Sequence, residues 1–471
     1  MPVLRSKQPL MLVSVVGMLT GCPNDPFGNL DGMEIPAVDM TQEIPPPIPG
    51  CTGACVVNRQ CSTVTGPTTI TGTVTIPAGT LPLYNAKVYV PTGTSLPTAP
   101  QSGASCDRCD AVTDAIASTT TDINGKFVLT NVPSGQNIPL IIRVGKWRKV
   151  ITIPAIGDCT TTMLSPDQTR LPRNKSEGNI PRIALSVGGA DAMECLLRKN
   201  KLGLDDSEFT TENGDGRVNL YAGANGVNKF APGLNGGAPF TAAVATPGIS
   251  WWDRLDNLTK YDIVMLSCEG AELMNYKSPQ ARTNLEQYLA MGGRVFGSHF
   301  HYGWIKHADP VNQSIQKVVT GWNPSQGPDP ADEQIDRSFA KGTALADWLM
   351  LPQVSGSSQL GAIQIKGTRY SVASIDPMLT QRWVYYPSPL GPSIPQYFSF
   401  NAPVGATSGA QCGQMVFTDL HISGGGNAPF DTSPNGGTFP TSCVSTSLSA
   451  QEKALIFMLF DLTNCLTPIV P

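Results

Sequence analysis

The stretch YLAMGGRVFGSHFHYGW, Tyr288 to Trp304, decides the fold. It closes a helical run, turns on Gly292-Gly293, enters a short apolar strand at Arg294-Val295-Phe296-Gly297 and leaves through a histidine-bearing turn. Upstream, Ser278-Pro279 places a capping hydroxyl before a proline at the first helical position, so a helix is expected from there to about Met291. The glycine pair ends it, because glycine takes the left-handed backbone that other residues resist. Two further apolar runs resemble this strand: Arg182 to Val187, followed by Gly188-Gly189 and a helical run from Asp191 to Lys199, and Tyr261 to Ser267. A late strand at Met415–Thr418 and a last helix from Ala450 to Leu462, opened by the S-x-x-E capping box of Ser449 and Glu452, complete the series. Unbroken apolar strands alternating with helices predict a parallel sheet covered on both faces, over residues 180–471. Between 305 and 410 the periodicity thins, and an insertion with one helix near Ala340–Leu349 is expected.

Outward toward the N-terminus the pattern changes. Thr69 to Ile76, Ala86 to Val90, Lys126 to Leu129, Ile138 to Val144 and Lys149 to Ile153 are short β-branched or alternating runs separated by turns such as Asp122-Ile123-Asn124-Gly125. They predict a β-sandwich over 66–160. Residues 22–65 are rich in proline and cysteine and read as a tether. Before them, Arg5 and Lys7, the apolar run Pro9 to Met18 and Leu19-Thr20-Gly21-Cys22 have the layout of a removable signal peptide over residues 1–21. The order is therefore multidomain: β-sandwich, then α/β parallel-sheet domain.

Composition bounds the function. The 471 residues include 47 Gly and 41 Pro, which disfavours a helical bundle. Lys plus Arg number 32 against 36 for Asp plus Glu, so no basic excess favours nucleic acid. The twelve cysteines suit an oxidising compartment. A disulfide framework involving Cys51, Cys55, Cys61, Cys106, Cys109 and Cys159 is expected, with pairings left open. Cys106-Asp107-Arg108-Cys109 lacks the second Cys or His pair that a zinc site needs. Asn213-Gly214-Asp215-Gly216 lacks the first and last acids of a calcium loop, and Gly188-Gly189-Ala190 lacks the spacing of a dinucleotide fingerprint.

Three resemblances add to this reading. Leu19-Thr20-Gly21-Cys22 resembles a bacterial lipobox, which implies acylation of Cys22 and a lipid-anchored protein of the cell envelope, expected at the outer membrane. The segments TGTV, NAKVYV, TDINGKF and NVPSG resemble the carboxypeptidase regulatory-like domain, a prealbumin-like sandwich that serves as spacer or binding module. The stretch from Tyr288 to Trp304 resembles the strand and sharp turn of the class I glutamine amidotransferase-like superfamily, with His299 where the nucleophilic cysteine normally stands. Together with QMVFTDLHIS near the C-terminus it is similar to the ThuA-like branch, which implies a flavodoxin-like α/β domain.

Open parallel sheets bind ligands beyond the carboxyl ends of their strands. There stand Cys268-Glu269, Ser298 to Tyr302, and Asp419-Leu420-His421, with three of the four histidines of the chain. The candidate catalytic set is His299, His421, Glu269 and Asp419; the candidate ligand-binding set is His301, Tyr302 and Trp304. Imidazoles suit a divalent metal, so His299, His301 and His421 are candidate ligands, although no cofactor is required by any motif. Cys268 is read as a buried structural cysteine in preference to a nucleophile. Trp251-Trp252 is read as core. The leading expectation is a non-catalytic binding module for a carbohydrate or an envelope partner, joined to the membrane through Cys22. The alternatives are a hydrolase, metal-assisted or not, acting on a carbohydrate or amide through the histidine-rich site, and a structural envelope protein with a degenerate amidotransferase-like domain.

Overall fold

A computed structural model describes residues 61–469 apart from 94–95, 107–111, 113, 246–249, 310, 312–313, 326–327, 390, 422–430, 465 and 467. The signal peptide, Cys22, Cys51, Cys55, Cys109 and most of the tether lie outside the described residues.

The N-terminal strands are β1 (Thr69–Thr73), β2 (Lys87–Pro91), β3 (Ala115–Thr120), β4 (Lys126–Thr130), β5 (Gly135–Val144), β6 (Trp147–Ile156) and β7 (Thr161–Met163). They form a four-stranded sheet in the order β3-β2-β5-β6 and a three-stranded sheet in the order β4-β1-β7. Alternation decides their faces: Phe127 and Leu129 of β4 are buried while Lys126, Val128 and Thr130 are exposed. Strands β3 and β7 are partly exposed and lack a regular alternation of buried apolar residues.

The second half contributes β8 (Ile183–Val187), β9 (Phe209–Thr210), β10 (Val218–Ala222), β11 (Thr241–Ala242), β12 (Ile263–Leu266), β13 (Arg294–Ser298), β14 (Val319–Ser325), β15 (Ala331–Ile335), β16 (Ala362–Ile365), β17 (Tyr370–Ile375), β18 (Gln381–Tyr386), β19 (Ile394–Ala402) and β20 (Gly413–Thr418). Its main sheet runs β11-β10-β8-β12-β13-β20-β19-β18-β15-β16, with β9 beside β10. The expected parallel sheet is therefore half of the answer. From β11 to β20 the pairs are parallel, and from β20 to β16 they are antiparallel. The expected insertion is in fact the source of β15, β16, β18 and β19, which extend the same sheet. The antiparallel pair β14 and β17 stands apart.

Helix Pro279–Ala290 starts where expected, with Ser278 Oγ accepting from Ala281 N–H. Helix Ala450–Thr463 carries the reciprocal capping box of Ser449 and Glu452, and helix Ala340–Met350 matches the one expected in the insertion. The helix expected over Asp191–Lys199 is a single turn, Met193–Leu196.

Cysteine pairing departs from the expected N-terminal framework. Cys61 joins Cys159, but Cys106 joins Cys412 and Cys195 joins Cys443. The Cys106–Cys412 bond ties the sandwich insertion to the far sheet, and a contact between elements about 300 residues apart leaves no spacing signal. The two halves also share apolar packing. Trp147 packs tilted against Phe460 with ring centres 5.6 Å apart, and Trp348 donates its indole N–H to Pro82 O at 2.9 Å. The β5–β6 turn needs Gly145, at φ +55°, because a side chain there would strike the Thr463 carbonyl. No described helix is long and apolar enough to cross a membrane.

Candidate metal centre

Four parallel strands, β8, β12, β13 and β20, deliver the chemistry from their carboxyl ends. Gly188 follows β8, and only a residue without Cβ lets that turn lie against the Ser267 and Cys268 carbonyls, 2.4 and 2.3 Å from where a Cβ would stand. Cys268, directly beyond β12, is held by its N–H donating to Ser298 Oγ at 2.9 Å. His299 follows β13 with φ +31°, a strained conformation for a non-glycine residue, and strain of this kind is kept where it positions a functional group.

The outcome is a three-atom cluster. His299 Nδ1 lies 3.4 Å from Cys268 Sγ and 3.1 Å from His421 Nε2. These donor atoms are all within 4.8 Å of one another and all three residues are buried. Ideal tetrahedral zinc bonds put sulfur and nitrogen ligands roughly 3.6 Å apart and two nitrogens roughly 3.3 Å apart. The two spacings to His299 lie close to these values, and the three donor atoms together span up to 4.8 Å, so an ion would draw the cluster inward. The donors are also in the right state to bind. Burial, then the neighbouring His421, holds His299 down at about 2, and burial holds His421 down at about 4, so both rings are neutral at pH 7. Burial, then Asp191, pushes the Cys268 thiol up to about 12, which removes it as an unaided nucleophile. A metal deprotonates a thiol outright, so the high value is no obstacle to ligation.

Glu269 belongs to a different arrangement. Its Oε2 accepts from Lys277 Nζ at 2.9 Å, both side chains are buried, and the ammonium lies 5.7 and 5.9 Å from the ring centres of Trp252 and Trp304. His301, grouped with His299 and His421 on sequence grounds, is turned away from them. Its Nδ1 accepts from the Trp304 indole at 3.1 Å and its Nε2 faces Ser267 O at 2.8 Å, so both ring nitrogens are engaged. Tyr302 donates to Glu272 Oε1 at 2.5 Å, and Trp304 packs edge-on against Trp252 at 5.2 Å. The three side chains expected to line a ligand pocket are therefore buried and already partnered. Trp251 and Trp252 are core, as expected.

Asp419 stands two residues before His421, directly beyond β20. Its Oδ2 accepts from Ser371 and Val372 N–H, at 2.7 and 3.2 Å, while Oδ1 has no hydrogen-bond partner. Burial pushes this carboxyl up to about 7. Glu333 on β15 is fully buried with neither carboxyl oxygen partnered, and burial, then Asp419, pushes it well above the carboxylate range. Gln396, whose carbonyl takes the Asp419 N–H at 2.8 Å, has an amide without partners at either atom. Sequence reasoning passed over Glu333 and Gln396 because they come from the antiparallel half. It placed Cys268 at a strand end but gave it a structural role.

No family model matches the chain, and no curated protein matches it. Among solved structures it is similar to a ThuA-like protein from Bacteroides uniformis, at 12% identity and a TM-score of 0.26 over 47% of this chain and 76% of that one. It is also similar to a cytoplasmic protein from Salmonella typhimurium, at 13% identity and a TM-score of 0.30 over 60% of this chain and 99% of that one. A third likeness is to a type II cohesin–X-dockerin complex from Acetivibrio cellulolyticus, at 14% identity and a TM-score of 0.16 over 27% and 79% of the two chains. Likenesses this slight carry no functional argument, and the case rests on the residues.

Proposed function

We propose that this chain is a lipid-anchored envelope protein whose flavodoxin-like, ThuA-like sheet domain is a metal-assisted hydrolase. The observation that carries the reading is the convergence of Cys268, His299 and His421 at the strand ends. It favours the hydrolase over a degenerate structural domain, which would have no reason to keep three uncharged donors together. It also disfavours amidotransferase chemistry, because no activated thiolate stands at the turn after β13. A divalent ion held there would supply Lewis-acid chemistry for hydrolysis. Cys268 Sγ, His299 Nδ1 and His421 Nε2 would hold such an ion, and their burial would shield it. Asp419, two residues before His421, has its carboxyl held up to about 7 by burial, the range in which a general acid or base works at neutral pH.

A neutral, hydroxyl-rich substrate, such as a carbohydrate, suits the same region. Glu333, kept protonated, and Gln396 each offer a donor and an acceptor, and Asp419 Oδ1 offers an acceptor. Buried polar atoms are nearly always paired in native proteins, so this group favours a polar occupant.

The test is elemental analysis of the purified protein beside the His299→Ala/His421→Ala double variant. Near-stoichiometric metal that disappears in the variant is expected. Absence of metal after dialysis against zinc, with the fold intact by circular dichroism, overturns the reading and restores the non-catalytic binding module.

A further inference from the structure

Far from the strand ends, the four-stranded sheet of the sandwich presents a row of cations. Register places Lys87 of β2 opposite Arg143 of β5, and Arg143 opposite Arg148 of β6. Directly opposed like charges on neighbouring strands are destabilising, so the facing arginines call for a compensating partner. Neither arginine has a carboxylate partner among the described residues. Arg143 donates from Nε to Gly145 O at 2.6 Å, and Arg148 donates from Nη2 to Pro97 O at 2.8 Å. Lys146, next along, is taken by Asp262 at 2.6 Å.

Arg148 is the decisive residue. It is 6% exposed, and its Nε–H is buried with no acceptor. Burial disfavours its charge, and the facing Arg143 adds to this while Tyr89 partly offsets it. A guanidinium in this position is stabilised when an oxyanion enters, because the planar fork of donors matches two oxygens of a carboxylate or phosphate. There is room for one. The two arginines, Tyr89, Gln101 and Ser105 line a cleft of about 390 Å³, walled on the other side by Pro97–Pro100. That volume falls in the range of small-molecule sites.

We propose that this cleft is an oxyanion-binding site, with Arg143 and Arg148 as the recognition pair and a phosphate or carboxylate group of a larger molecule as the ligand. The site is independent of the metal centre. It gives the sandwich a recognition role in place of a spacer role, with Gln101 and Ser105 supplying neutral hydrogen bonds to whatever carries the anion.

The experiment is calorimetric titration of the purified full-length protein, at low ionic strength, with inorganic phosphate, glycerol 3-phosphate and succinate in turn. Saturable binding of at least one is expected, weakened roughly tenfold or more by Arg143→Gln and by Arg148→Gln. Preference for glycerol 3-phosphate assigns a phosphate ester as ligand, and preference for succinate assigns a carboxylate. Thermal unfolding keeps the test open should Arg148→Gln fail to fold. In anion-free buffer the half-exposed Arg143→Gln melts no lower than the parent, because a repulsion is removed, and the bound anion raises the midpoint of the parent alone. No saturable binding of any of the three, or binding unchanged in Arg143→Gln, overturns the proposal.

Discussion

Two clusters stand side by side beyond β12 and solve the cost of burial in opposite ways. Glu269 and Lys277 form a buried ion pair, with the ammonium facing two tryptophan rings. Cys268, His299 and His421 carry no charge at pH 7 and meet one another through their donor atoms, contacts that an incoming cation would replace. The difference separates scaffold from site. A compensated ion pair is finished and has nothing left to offer a ligand, whereas a group of neutral donors is stable alone and still has affinity in reserve.

That contrast breaks first, and most severely, on the paired side. Lys277→Ala leaves the Glu269 carboxylate buried without its counter-charge, and a loss of about 3–5 kcal/mol in unfolding free energy is expected from urea titration. Replacing both partners, as Glu269→Gln with Lys277→Met, recovers most of that loss, because no lone charge remains. Should the single variant cost no more than a surface substitution, the pair is not the scaffold described here.

Glu194 sharpens the comparison by showing a third solution, a buried carboxyl kept neutral by a proton. Burial pushes it up to about 8 from an ordinary 4.5. The folded state therefore holds a proton that the unfolded state releases. Its contribution to stability is full below about pH 4.5 and declines as pH rises toward 8, by about 1.4 kcal/mol for each pH unit. Glu194→Gln mimics the protonated form, so its stability relative to the parent should rise over this window and level off beyond pH 8. Parallel stability–pH curves for the two proteins contradict this.

His299 tests the neutral side more gently. Its positive φ favours glycine, so His299→Gly should be more stable than His299→Ala by about 1 kcal/mol, and neither should take up the metal proposed for this site. Equal stabilities mean that the turn relaxes once the ring is gone.

How much of this was legible follows from where each signal is stored. Strands β8, β12, β13 and β20 lie inside the sheet, buried on both faces, and so appear as unbroken apolar runs. The strand-end rule then led to His299, His421 and Asp419 with no knowledge of contacts. The antiparallel strands carry mixed patterns: β15 reads Ala-Asp-Glu-Gln-Ile, and its buried Glu333 looks like a solvent residue until the neighbouring strands are in place. The separation of His301 from His299 was equally hidden, because the turn beyond β13 sends residues two apart to opposite sides. Pairings such as Cys106 with Cys412, and the Arg143–Arg148 register, depend on tertiary contacts or on the exact length of a hairpin.

The smallest expected effect concerns how the neutral cluster is held. Gln451, one residue after the start of the last helix, donates its amide to the His421 carbonyl, so the position of that helix end bears on the site. Two devices fix the end. Ser449 Oγ accepts from Glu452 N–H at 3.2 Å while Glu452 Oε2 accepts from Ser449 N–H at 2.7 Å, and Glu452 also pairs with the buried Lys201. Ser449→Ala removes the weaker half of the capping box only, and a loss of about 1 kcal/mol is expected from urea unfolding. Because the Glu452–Lys201 pair still anchors the turn, metal content should be unchanged. A Ser449→Ala protein that folds but loses its metal would mean that His421 is placed by the cap itself, and the line drawn here between finished scaffold and open site would have to move to include the first turn of that helix.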